Sequence, residues 1–122
     1  MKQILFSIIV LSISLAAYTD TSSYETISID AVLEYQEKGY QIVDVREIDE
    51  YLSGHIPYAL NVPLSKLEKG EFGSLKKEGK YIIICRSGNR SKVASEILTN
   101  QAFEVLNVDK GMSSWTGEIG NN

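Results

Sequence analysis

The chain has 122 residues, 43% of them hydrophobic and 23% charged, with a formal net charge of −4. That is the size and balance of one ordinary globular domain, and it excludes a disordered or fibrous chain. The mild acidity, with no Lys/Arg stripe, also excludes nucleic acid as a partner, because that binding rests on neutralised phosphates.

The chain opens on Met1-Lys2-Gln3, then an apolar run from Ile4 to Ala17 broken only by Ser7, Ser12 and Ser14 and ending in the small pair Ala16-Ala17. A bilayer crossing takes about 20 apolar residues, so the run reads as a cleavable secretory signal over residues 1–17. Export to a periplasm or to the medium is expected, with no stable membrane span after cleavage. An uncleaved anchor is the alternative. The Thr- and Ser-rich stretch 18–26 has no period and reads as a linker, with a folded domain over 27–118.

Ser28 precedes apolar residues at helical spacing up to Tyr35, and Gly39 follows, which predicts a first helix between a cap and a stop. Gln41 to Val45 is short and β-branched and predicts a strand. A brief helix over Glu47 to Leu52 is expected next, then a strand over Ala59 to Val62 closed by Pro63, and a weak helix from Leu64 to Phe72. Tyr81 to Ile84 is a continuous apolar run, the mark of a strand buried on both faces. Helical spacing resumes over Ser91 to Gln101, Glu104 to Val108 predicts a strand, and Met112 to Trp115 one last turn. The alternation predicts an α/β domain: a central, mostly parallel sheet with helices on both faces and sites at the carboxyl ends of its strands.

Only one cysteine is present, Cys85, so the domain cannot be stapled internally. A lone thiol is either buried and inert or reactive. Its neighbours favour reactivity, because Cys85 ends the apolar run and is followed by the polar Arg86-Ser87-Gly88-Asn89-Arg90 and then a helix. Backbone N–H groups in such a loop converge on one point and form an anion cradle. With the helix N-terminus and two arginines nearby, the thiol pKa is expected to fall. Gly88 can take positive φ and lets the backbone come close, and Ser87, Asn89 and Ser91 can add donors.

Cys85-Arg86-Ser87-Gly88-Asn89-Arg90-Ser91 resembles the active-site loop of the rhodanese family. Val43-Asp44-Val45-Arg46-Glu47 with Tyr51, Gly54-His55-Ile56-Pro57, Ala59 and Asn61-Val62-Pro63 resembles that family's upstream motif, and Lys110-Gly111 with Trp115 its closing motif. Three ordered segments are far more specific than the loop alone, which phosphatases could share by convergence. The resemblance implies a sulfurtransferase that carries sulfane sulfur as a persulfide on Cys85. The donor would be thiosulfate or a similar small anion, and the acceptor cyanide, a thiol or a protein thiol. It also implies a stabilising loop of Arg86, Ser87, Gly88, Asn89 and Arg90, supported by Asp44 and Arg46. Many relatives begin the closing motif with two glycines, and Lys110 stands in the first place here.

His55, the only histidine, could be a general base, but a preformed thiolate needs none, and a structural turn is the expected role. One cysteine and one histidine do not make a four-ligand zinc site, and no cofactor is indicated. A monomer is expected. The alternatives to an enzyme moving sulfur are a non-catalytic sulfur carrier and, further off, a cysteine-dependent phosphatase or arsenate reductase. The six positions from Cys85 to Arg90 favour sulfur transfer, since those enzymes carry one more residue in the loop.

Overall fold

The β-branched runs pair side by side in the computed structural model, which describes residues 23–121. β1 (Glu25–Ile27), β2 (Gln41–Asp44), β3 (Leu60–Asn61), β4 (Lys80–Ile84) and β5 (Glu104–Val108) form one five-stranded sheet in the order β1-β5-β4-β2-β3. Every pair is parallel. Parallel neighbours require crossovers. These run through α1 (Val32–Glu37), α2 (Ile48–Leu52), α3 (Leu64–Leu67) and α4 (Asn89–Asn100), with 3-10 turns at Ile29–Ala31 and Met112–Ser114. This is the α/β architecture that the alternation predicts, with a sheet that is parallel throughout.

Side chains alternate across a strand, and the sheet is buried on both sides as a result. Val43, Val45, Tyr81, Ile83, Cys85 and Val105 face a core shared with Leu64 and Leu67 of α3 and Ala94 and Leu98 of α4. Ile42, Ile82, Ile84, Leu106 and Val108 face the opposite core, with Ile29, Val32 and Ile56. Cys85 therefore lies on the α4 side by parity with Ile83. No helix among the described residues is long and apolar enough to cross a membrane.

Several boundaries differ from the sequence expectation, each for a tertiary or glycine-driven reason. Glu25 and Thr26, read as the end of a linker, pair with Leu106 and Asn107 of β5. Asn107 Nδ2 also donates to Thr26 Oγ1 at 3.2 Å. A Ser/Thr-rich stretch has no period of its own, so the open edge of β5 is what makes it a strand. The helix expected over Leu64 to Phe72 stops at Leu67 because Gly70 (φ +75) and Gly73 (φ +57) turn the chain left-handed. The strand expected over Ala59 to Val62 pairs only at Leu60 and Asn61, on the edge beside β2. α4 begins two residues before Ser91, so Asn89 and Arg90 belong to its first turn and not to a free loop. The secretory signal expected over residues 1–17 lies outside the described residues.

Candidate active site

Cys85 directly follows β4 and is 1% exposed, at the carboxyl edge of the sheet. From there the chain turns through Gly88, which takes a left-handed φ of +98 and caps α4. That turn aims the first N–H groups of the helix back at the thiol. Gly88 N donates to Sγ at 3.1 Å. Burial pushes the Cys85 thiol up, but the Ser91 hydroxyl and the backbone N–H groups of Ser91, Gly88 and Ser87 pull it down, and the net pKa lies below the ordinary thiol value. Ser91 is buried, and its hydroxyl donates to Gly88 O at 3.2 Å, which fixes this side chain to the turn.

The cradle is closed from behind by the segment after β5. Met112 N donates to Cys85 O at 2.8 Å, while Ser113 donates to Arg86 O from both its N (3.0 Å) and its Oγ (2.8 Å). Two glycines make this approach possible. A Cβ on Gly88 would stand 2.6 Å from Asp109 O, and one on Gly111 would stand 2.2 Å from Arg86 C and 2.4 Å from Cys85 O. Backbone lies at both points, so no side chain can be admitted. The exposed Lys110 is compatible with this clamp, which needs its glycine at 111.

Two ion pairs brace the walls. Asp44, fully buried, accepts at Oδ1 from Arg46 N and Nε (both 3.0 Å) and at Oδ2 from Arg46 Nη2 (2.8 Å) and Nε (3.1 Å). Arg46 Nη2 also donates to Gly54 O at 2.8 Å, and Asn61 Nδ2 donates to both Asp44 O (3.0 Å) and Arg46 O (2.9 Å). Arg90 makes a bidentate pair with Glu50, Nη1 to Oε1 at 2.6 Å and Nη2 to Oε2 at 2.8 Å. The Arg90 guanidinium holds the Glu50 carboxyl down at about 2. Glu50 Oε1 also accepts from Glu47 N at 3.3 Å, so one carboxylate caps α2 and anchors α4 to it.

The structure brings the residues singled out in the sequence to the carboxyl edge of the sheet, but in different ways. Ser87, Gly88 and Ser91 reach the sulfur, Ser91 by its side chain as well as its backbone. Asn89 is exposed at the start of α4, and Arg90 turns to Glu50. Asp44 spends its carboxylate on Arg46, a neighbouring residue, and not on the Cys85 loop. Arg86 is exposed and lines a cleft of about 410 Å³ with Arg46, Glu50, Ser53, Met112 and Ser113.

His55 is fully buried with its ring stacked on Tyr51 (centroids 3.7 Å apart). Its Nδ1–H donates to Tyr51 O at 2.9 Å and its main chain pairs with Gly120. These contacts hold a turn. Glu50, Gly111 and Ser113 escaped the sequence reading as site residues. Gly111 carried a signal in the closing motif, whereas Glu50 is 40 positions from Arg90 and carried none.

Comparison with known proteins agrees with this geometry. A family model, the Rhodanese-like domain, matches residues 28–118. The chain is similar to "Putative sulfur carrier protein YrkF" of Bacillus subtilis, 38% identical over 81% of this chain and 55% of that protein, so it spans about half of that relative's length. It is similar as well to "Putative sulfurtransferase YtwF" of the same organism, 38% identical over 76% of this chain and 88% of that protein. Among solved structures, a rhodanese-related protein from Thermoplasma volcanium superposes with a TM-score of 0.72 at 32% identity, covering 81% of this chain and all of that one. A match over most of the chain, a shared parallel sheet and a cysteine in a backbone cradle at its carboxyl edge lead to one assignment: the chain belongs to the rhodanese family.

Proposed function

We propose that the chain is a sulfurtransferase that moves sulfane sulfur from thiosulfate, or a donor of the same anionic class, to a thiol or cyanide. The observation that carries this reading is the lone thiol at the carboxyl end of β4, with Gly88 N–H donating to its sulfur at 3.1 Å and the N–H groups of Ser87 and Ser91 helping to draw its pKa below the ordinary value. A cradle that favours thiolate also stabilises the terminal sulfur of a persulfide, since both are anionic sulfur at nearly the same place. In the first step the Cys85 thiolate attacks the terminal sulfur of thiosulfate. The new S–S bond forms as the donor's S–S bond breaks, and sulfite leaves with the bonding pair. In the second, cyanide or a thiolate attacks the outer sulfur, leaving as thiocyanate or a small persulfide and returning the Cys85 thiolate. Each step is a two-electron displacement that needs no added oxidant.

Arg86 supplies the exposed charge that draws an anionic donor to the mouth. Arg90, engaged at both terminal nitrogens by Glu50, is poorly placed to clamp a tetrahedral oxyanion, which weighs against phosphatase chemistry. The name of the sulfur carrier relative supports a second reading, in which Cys85 loads once and passes its sulfur to a dedicated protein. Export, read from residues 1–17, belongs to the same proposal. N-terminal sequencing of the chain recovered from envelope and cytoplasmic fractions tests it, and a start at Met1 in the cytoplasm would overturn it.

Intact mass of wild type and Cys85→Ser before and after thiosulfate tests the mechanism. Wild type is expected to gain one sulfur that cyanide removes, and Cys85→Ser none. No gain on a folded protein with a free thiol would overturn the thiosulfate reading. Steady-state ping-pong kinetics with cyanide separate an enzyme from a carrier, which would load without cycling.

A further inference from the structure

The cleft lined by Arg86, the residue that follows Cys85, holds a second arginine whose bonding is incomplete. An arginine has five N–H donors. Arg46 spends the one on Nε and the two on Nη2 on Asp44 and Gly54, and among the described residues Nη1 has no acceptor. The side chain is 8% exposed, yet it lines the cleft together with Arg86, Ser113 and Glu50. Arg46 is thus a buried guanidinium, locked in orientation by Asp44, that borders the cleft with two N–H donors left over.

The charges around that space reinforce the point. Asp44 is matched by Arg46 and Glu50 by Arg90, while Arg86 has no carboxylate partner among the described residues, so the cleft carries a surplus of one positive charge. Arg86 and Arg46 differ in kind. Arg86 is exposed and free to swing, whereas Arg46 is already ordered and loses little freedom on binding, which favours fixed geometry over simple attraction.

We propose that Arg46 is the donor-specificity residue of this site. Its Nη1 hydrogen-bonds an oxygen at the far end of the donor, the end that leaves, while Arg86 covers the same group from the solvent side. The inference rests on the sulfur-transfer reading above and adds a preference to it. Donors whose leaving end is a fully charged oxyanion, such as thiosulfate, are selected over donors in which one oxygen is replaced by carbon, such as an alkanethiosulfonate.

The test compares the two donors on wild type and Arg46→Lys, which keeps a positive charge against Asp44 but loses the free fork. Wild type is expected to show a higher kcat/KM with thiosulfate than with methanethiosulfonate, and Arg46→Lys to reduce that ratio by about tenfold through KM for thiosulfate. The iodoacetamide alkylation rate of Cys85 should stay unchanged. An unchanged ratio overturns the proposal while leaving sulfur transfer intact, whereas loading by neither donor overturns the functional reading itself.

A second measurement avoids any change at Arg46. The chain has three arginines, Arg46, Arg86 and Arg90, so their side-chain 15N–1H resonances can be followed singly as thiosulfate is titrated into Cys85→Ser. Saturable shifts of both Arg46 and Arg86 are expected. A shift of Arg86 without Arg46 overturns the assignment.

Discussion

Asp44–Arg46 and Glu50–Arg90 each join an arginine beside the cleft to a carboxylate, but they stand in different surroundings. The side chains of the first pair are 1% and 8% exposed, and those of the second 31% and 32%. The first joins residues two apart at the end of β2 and is enclosed by Gly54 and Asn61. The second joins residues 40 apart and ties α2 to the first turn of α4, beside the thiol. A buried pair holds itself together because either member alone would be an unpaired charge away from water. A half-exposed pair is screened and contributes little to stability, so its value here lies in where it holds α4. Burial thus separates a brace of the fold from a brace of the site.

Breaking the buried pair should give the largest effect. Asp44→Ala leaves the Arg46 charge enclosed without its carboxylate and is expected to cost about 3–5 kcal/mol in urea unfolding. A loss near 1 kcal/mol would mean that Arg46 reaches water and that the contrast between the pairs is false. Next is Gly88→Ala, which forces a side chain into φ +98 and against Asp109 O. About 1–3 kcal/mol is expected. The alkylation profile of Cys85 should also move to higher pH as the N–H bond at 3.1 Å is disturbed.

Glu50→Gln should cost no more than about 1 kcal/mol, yet lower turnover by a larger factor, because it frees the start of α4. Equal losses in stability and turnover would remove the distinction between the two braces. The pair also sets a pH dependence. Glu50 is held at about 2 against an ordinary 4.5, so the native state binds its proton less readily than the unfolded chain does. Its contribution is fully present above the ordinary value and is lost as pH falls from there through about 2. The stability gap between wild type and Glu50→Gln should therefore be flat near neutrality and close on acidification, by less than the shift alone implies, since the pair is partly solvated. Ser91→Ala should have the smallest effect on stability, under about 1 kcal/mol, while raising the midpoint of thiol alkylation because one donor to the sulfur is lost.

Much of this molecule is readable along the chain. The run Tyr81 to Ile84 is apolar at every position, and it is the central strand with both faces covered. Cys85 ends that run and Gly88 begins a helix, so a cradle could be inferred from neighbours alone. The strand at Glu25–Ile27 could not, because its pairing depends on the open edge of β5, 81 residues away. Spacing favours helix well beyond Leu67, while two glycines there take left-handed conformations that spacing does not reveal.

The sequence by itself determined the order of elements from Ser28 onward, the cradle at Cys85 and the family, because each depends on periods and spacings within a few residues. Only the tertiary structure decided which carboxylate each arginine meets, that Gly111 lies against the Cys85–Arg86 backbone, and that Arg46 lines the cleft with one nitrogen unspent. Those contacts join segments far apart in the chain. They come into being when the strands take their places in the sheet, and a local pattern holds no record of that order.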